Sequence, residues 1–138
     1  EGCACTMNSI LKQFTKHLTV GENEVVLLDM EAGVEHFGRG VDNSVDLILM
    51  VVDPSFESLK LTKKIQQLGE SIGKPVSFVL NKVSRQILPT MLESIDDQNK
   101  VLAVISADTE IARKGLLGDE LMMEIPEIHT LAKKILKK

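Results

Sequence analysis

Two cysteines stand two positions apart near the beginning of the 138-residue chain, at Cys3 and Cys5. Their thiolates could bind Zn²⁺ or Ni²⁺, but a closed site of this kind takes four donors and the pair supplies two. We therefore expect two copies of the chain, related by a two-fold axis, to share one nickel or zinc ion at a homodimer interface. The alternative is that both cysteines act as small hydrophobic residues ahead of a helix.

A second chemical pattern joins a carboxylate to a glycine. Asp29 follows four aliphatic residues, and Gly33 comes four positions later. In nucleotide-dependent switches such a carboxylate holds a magnesium-bound water. The glycine amide can then approach a terminal phosphate closely, because glycine has no side chain. The pattern is common, so an ordinary polar strand end remains the alternative.

Polar residues also follow the other apolar runs of the chain. The predicted strands are residues 24–30, 46–52, 76–80 and 101–105, and they run out at Asp29, Asp53, Asn81 and the turn from Ser106 to Asp108. Open parallel sheets bind ligands at the carboxyl ends of their strands, so these residues are candidates for one site. The amide of Asn81 can pair with the donor and acceptor edge of a purine. The alternative is that each strand simply ends in something polar.

The elements that must position these residues indicate an α/β fold. Each apolar run is nearly continuous, as expected for parallel strands that are covered on both faces. Helical patterns separate them, with apolar stripes within residues 7–18, 61–72, 87–95 and 128–135 and a loop at 115–119. We predict a single domain, residues 1–138, with a mostly parallel sheet of about four strands flanked by helices.

Composition excludes several classes of function. The chain has four Phe, no Tyr and no Trp, which disfavours a stacking surface for single-stranded nucleic acid. A net charge of −4 without a dense basic stripe argues against a nucleic-acid partner. The apolar run at 47–52 is far too short to cross a membrane, so no stable membrane insertion is expected. Cysteines so close together suit a reducing, cytoplasmic setting.

Two stretches resemble a known family. Residues 2–5, with the two cysteines, and residues 28–40, which read LDMEAGVEHFGRG, are similar to the carbon monoxide dehydrogenase maturation ATPases of the CooC type. That family belongs with the MinD and nitrogenase iron protein ATPases. The similarity continues through residues 46–54, Asn81-Lys82 and residues 105–111, so it covers nearly the whole chain.

The resemblance implies a dimeric, cytoplasmic ATPase that helps to insert nickel into carbon monoxide dehydrogenase. It also assigns site residues. Cys3 and Cys5 match the metal-binding pair, Asp29 the carboxylate near Mg²⁺, Gly33 the glycine near the γ-phosphate, Asn81 the adenine-reading asparagine and Asp108 the turn that borders the base. The family usually has proline where this chain has Ser106, which weakens the adenine contact at that turn.

One large departure concerns the phosphates. Nothing in the chain reads G-x-x-x-x-G-K-[ST], the loop whose amides and lysine cradle the β- and γ-phosphates. We therefore expect a C-terminal portion of a CooC/MinD-like ATPase with the P-loop half absent. ATP and Mg²⁺ would bind only together with that missing N-terminal half, and this chain alone would neither hydrolyse ATP nor bind it tightly. By resemblance, the phosphate-loop strand would lie between the strands at 24–30 and 46–52.

Two other functions remain open. A MinD/ParA-like partitioning ATPase fragment would share the fold, although the cysteine pair and the loop at 28–40 argue against it. A receiver-like signalling domain would use Asp53 as phosphoacceptor and would need an acidic cluster on an earlier strand.

Overall fold

The computed structural model describes residues 13–14, 17–22, 24–30 and 45–136. Within them lies a three-stranded parallel sheet in the order β1-β2-β3. The strands are β1 (Ile48–Val52), β2 (Val76–Val83) and β3 (Val101–Ser106). The helices are α1 (Phe56–Ser71), α2 (Leu88–Glu93), α3 (Thr109–Leu117) and α4 (Pro126–Ile135), with a 3₁₀ turn at Gln98–Lys100. This arrangement confirms the α/β class and is consistent with part of a P-loop NTPase-like fold.

The hydrophobic pattern of the strands explains their position. The first five residues of β2 are all buried, as expected for a strand that is covered on both faces. Helix α4 packs against β3. Buried Val79, Leu102, Ala103 and Leu131 form a core cluster, with Leu49, Ile105 and Ile135 packed against it. The amine of Lys134 donates to the carbonyl of Leu102 over 2.5 Å, which adds a polar link between α4 and β3.

The chain divides into two compact units, one of Leu49–Lys63 with Ser77–Lys138 and one of Glu1–Ile48 with Lys64–Val76. The core cluster above belongs to the first. In the second, the N–H of Ile48 donates to the carbonyl of Pro75 over 3.0 Å. The same unit contains Gly69, whose missing side chain leaves room for Val76.

The predicted strand at residues 24–30 is wrong. None of these residues is in a strand, and Leu27 is 81% exposed, with Val25 and Val26 also exposed. A strand forms only where a neighbour takes up its backbone hydrogen bonds. Among the residues that the structure describes, no strand pairs with this segment. The apolar pattern of residues 24–30 therefore predicts a strand that this segment does not form.

The predicted loop at 115–119 is partly wrong, because α3 continues through Gly115 to Leu117. Asp108 caps the beginning of α3, and Gly118, with φ +72°, ends it in the left-handed region that glycine tolerates. Most of the first predicted helix lies outside the described residues. Across the described ranges, no helix combines the length and apolarity needed to cross a membrane.

Candidate functional site

Three polar side chains meet at the carboxyl ends of β1 and β2. Asp53 directly follows β1, and its Oδ1 accepts a hydrogen bond from Nδ2 of Asn81 over 2.9 Å. Its Oδ2 accepts from Nζ of Lys82 over 2.5 Å. We call Asp53, Asn81 and Lys82 the strand-end cluster. One carboxylate thus takes donors from two consecutive residues of the neighbouring strand.

An irregularity in β2 makes this double contact possible. Consecutive residues of a regular strand point to opposite faces of the sheet. Here Leu80 pairs with Val104 and Val83 pairs with Ser106, so β2 advances by one residue more than β3 over Asn81 and Lys82. Lys82 also has φ +54°, in the left-handed region. A bulge of this kind re-aims side chains, and it brings both donors to the same carboxylate.

The backbone of Asp53 is held by hydrogen bonds with residues at the beginning of α1. Its N–H donates to Oγ of Ser58 over 3.1 Å, and its carbonyl accepts from the N–H of Ser55 over 2.8 Å. The N–H of Ser58 in turn donates to Oγ of Ser55 over 3.2 Å. These bonds fix the position from which the carboxylate reaches β2.

Solvent limits the energy of the ion pair in the cluster. The side chains of Lys82 and Asp53 are 65% and 40% exposed. Exposed pairs contribute up to about 1 kcal/mol, because water and salt screen them. A non-glycine residue in the left-handed region costs roughly as much or more. The arrangement is therefore better explained by the geometry it imposes than by its contribution to stability.

Asp108 lies at the same edge of the sheet. It follows β3 and caps α3, with Oδ1 accepting from the N–H groups of Glu110 over 2.7 Å and Ile111 over 2.9 Å. The N–H of Ala107 donates to the carbonyl of Val83 over 3.0 Å, which ties the residue before Asp108 to the end of β2. The observed role of Asp108 is that of a helix cap. Its position bordering a purine stays a prediction.

The remaining predicted site residues are Asp29, Gly33, Cys3 and Cys5. Asp29 is exposed and belongs to no strand. Cys3, Cys5 and Gly33 lie outside the described residues, so the metal pair and the phosphate-facing amide stay predictions. Of the two residues that join Asn81, Asp53 was signalled by its place at a strand end. For Lys82 the sequence provides only a weak indication, as the second residue of the polar dipeptide Asn81-Lys82.

The cluster also bears on the receiver-like alternative. A receiver needs further acidic groups beside its phosphoacceptor to hold a metal ion. In the ranges described, no group of three or more His, Cys, Asp or Glu side chains is placed to bind one. The carboxylate of Asp53 is engaged by an amide and an amine instead. Among the described residues, the acidic cluster that a receiver requires is therefore not found.

Comparison with known proteins gives a consistent set of relatives. No protein-family model matches the chain. It is 44% identical over 137 residues to an uncharacterised ATP-binding protein of Methanocaldococcus jannaschii, covering 99% of this chain and 55% of that protein. A second ATP-binding protein of that organism is 34% identical over 127 residues, which is 90% of this chain and 49% of the relative.

A third relative has a named role. The carbon monoxide dehydrogenase accessory protein CooC of Rhodospirillum rubrum is 33% identical over 119 residues, covering 86% of this chain and 45% of that protein. The chain thus spans about half the length of the curated relatives it matches. Together with the α/β fold, these similarities support a CooC-like ATP-binding family for the chain.

Proposed function

We propose that the chain is the metal-binding, dimer-forming portion of a nucleotide-dependent accessory protein that inserts nickel into carbon monoxide dehydrogenase. The observation that carries the proposal is the 33% identity to the CooC accessory protein over 86% of the chain. The names of the other relatives, which are ATP-binding proteins, support the nucleotide dependence. The role as a partitioning ATPase is less favoured, because the cysteine pair would have no purpose there.

The metal part of the proposal rests on Cys3 and Cys5. Two thiolates from each of two chains complete the four donors that a closed Zn²⁺ or Ni²⁺ site takes. Metal binding and dimerisation are then one event. The nickel ion is cargo for the client enzyme, and the dimer interface is where it is carried.

The nucleotide part rests on the carboxyl edge of the sheet, where such folds bind ligands. Asn81 would read the adenine, with Asp108 beside it, and Asp29 and Gly33 would serve the Mg²⁺-bound water and the terminal phosphate. ATP would bind tightly only in a protein that also supplies a phosphate-binding loop. For this chain by itself we expect neither ATP hydrolysis nor micromolar affinity for ATP, and calorimetry showing micromolar affinity would contradict this part.

The metal part is tested by measuring bound metal and molar mass together. The reduced chain, loaded with Ni²⁺ or Zn²⁺, should elute as a dimer with about one ion per two chains. Replacing Cys3→Ser and Cys5→Ser together should abolish both. His17→Ala and His129→Ala are matched controls, because each removes an exposed potential metal ligand outside the pair. A double serine variant that still dimerises and takes up the metal would overturn the proposal.

A further inference from the structure

We infer that Asp53 is a positioning residue that fixes the orientation of the Asn81 amide and thereby makes the base site selective for adenine over guanine. This inference rests on the proposed function, because it concerns the residue that would read the base. The starting observation is the 2.9 Å hydrogen bond from Nδ2 of Asn81 to Oδ1 of Asp53.

The chemistry of the two groups allows only one orientation of the amide. An ionised carboxylate is an acceptor, whereas an amide has a donor side and an acceptor side. Rotating the Asn81 amide by half a turn would bring its carbonyl oxygen against the carboxylate oxygen of Asp53, which sets two acceptors against each other. The carboxylate therefore holds Nδ2 toward itself. Because the amide is planar, fixing one N–H on Asp53 also fixes the directions of the carbonyl and of the second N–H of Asn81.

The carboxylate itself is held against rotation. Lys82 engages its Oδ2 while Asn81 engages its Oδ1, so the carboxylate plane is tied at both oxygens. The backbone of Asp53 is fixed by the hydrogen bond from its N–H to Ser58. The bulge in β2 and the left-handed Lys82 are needed for both donors to arrive together. A strained backbone held by a specific contact is a common mark of a functional position.

A fixed amide distinguishes the two purines. At the edge that contains N7, adenine presents an amine donor beside the N7 acceptor, whereas guanine presents two acceptors, O6 and N7. An asparagine whose carbonyl and remaining N–H both face the base pairs with adenine at both points. Against guanine the same carbonyl would meet O6, so one bond is replaced by a repulsion. Losing one such hydrogen bond corresponds to about tenfold in affinity.

The inference is tested on this chain by NMR, with adenosine and guanosine as probes at millimolar concentration. These nucleosides carry no phosphates, so the missing phosphate loop does not decide the outcome. The readouts are the side-chain amide signals of Asn81 and the ratio of the two affinities. We expect adenosine to bind about tenfold more tightly than guanosine, and Asp53→Ala to bring the ratio close to one.

Two further variants separate positioning from a general effect on folding. Asp53→Asn keeps the size of the side chain but offers Asn81 an N–H as well as an oxygen, so it should lose most of the selectivity, as Asp53→Ala does. Asp97→Ala removes a carboxylate that accepts only from the backbone N–H of Asn99 among the contacts described, and it should change neither readout. The dispersion of the backbone amide signals in the NMR spectrum of each variant shows whether that variant is folded.

The possible failures are distinguishable. If adenosine binds preferentially and Asp53→Ala keeps both the preference and the Asn81 amide signals, the role of Asp53 is refuted while the nucleotide site stands. If neither nucleoside shifts the Asn81 signals of the unmodified chain, the assignment of Asn81 as base reader fails, and the inference fails with it. Loss of selectivity in Asp97→Ala as well would also refute it, because the effect would then not be specific to Asp53.

Discussion

The hydroxyl of Thr62 donates to the carbonyl of Ser94 over 3.0 Å and thereby joins the middle of α1 to the C-terminal end of α2. The same hydroxyl also donates to the carbonyl of Leu59 within α1 over 2.7 Å, so its one proton is shared between two acceptors. Thr62 is 1% exposed. Carbonyls at the end of a helix have no partner within the helix, so this contact supplies a partner for the carbonyl of Ser94.

We expect Thr62→Val to destabilise the chain by about 1 kcal/mol, because the part-buried carbonyl of Ser94 loses its hydrogen-bond donor. Thr62→Ser keeps the hydroxyl and should cost less. The matched control is Thr130→Val, since Thr130 is exposed and donates only within α4 among its described contacts. Urea unfolding of the three variants measures the difference. Equal stability of Thr62→Val and Thr130→Val would show that the link contributes nothing.

A second prediction concerns Gly69 in α1. A Cβ at this position would lie 2.3 Å from Cγ2 of Val76 and 3.0 Å from the carbonyl oxygen of Lys74. Gly69→Ala should therefore destabilise by roughly 1–3 kcal/mol, although alanine is the better helix former. Gly115→Ala is the control, because Gly115 lies in α3 with open space around it, and it should stabilise by about 0.5–1 kcal/mol.

The steric origin of the Gly69 effect is tested by a double-mutant cycle. Val76→Ala removes the methyl group that the new side chain would meet. If the clash is the cause, the pair Gly69→Ala and Val76→Ala should be less destabilising than the sum of the two single changes. Simple additivity in thermal unfolding would refute the clash with Val76 as the cause.

A third prediction uses the left-handed backbone of Lys82. At an ordinary strand position glycine is less stable than alanine by roughly 0.5–1 kcal/mol. Lys82→Gly and Lys82→Ala both lose the ion pair to Asp53, but only glycine relieves a φ of +54°. We expect Lys82→Gly to be at least as stable as Lys82→Ala in chemical unfolding. The ordinary order of the two variants would show that Lys82 is not strained.

The apolar runs predict the three strands of the sheet, but they do not predict the features that depend on contacts between distant residues. Residues 76–80 form a nearly continuous apolar run, interrupted only by Ser77, and they lie in β2, but the strand continues to Val83 past the polar Asn81 and Lys82. The apolar segment 24–30 carries a similar pattern but is in no strand, and no strand among the described residues pairs with it. The local sequence pattern shows that a segment is apolar, whereas strand formation also requires a second strand that pairs with it.

In the candidate site, too, the sequence predicts individual residues but not the contacts between them. The sequence predicts Asn81 as a base reader from its place at a strand end and from the family resemblance, and it predicts Asp53 only as another polar residue at a strand end. The hydrogen bond between them spans 28 residues and depends on the parallel register and on the bulge. Neither feature can be read from residue types, since lysine ordinarily avoids the left-handed region. The orientation of the amide, on which base selectivity would depend, therefore required the structure.

The last prediction separates the two roles of Asp108. Its Oδ1 caps α3 by accepting from two backbone N–H groups, so Asp108→Ala should destabilise the chain by about 1 kcal/mol without any nucleotide present. Asp108→Asn keeps the accepting oxygen and should be nearly neutral. Asp119→Ala is the control, because its contact with Arg113 is an exposed pair at 3.8 Å that contributes little. Thermal unfolding ranks the three. If Asp108→Ala retained full stability and yet weakened adenosine binding, its importance would lie with the base and not with the helix.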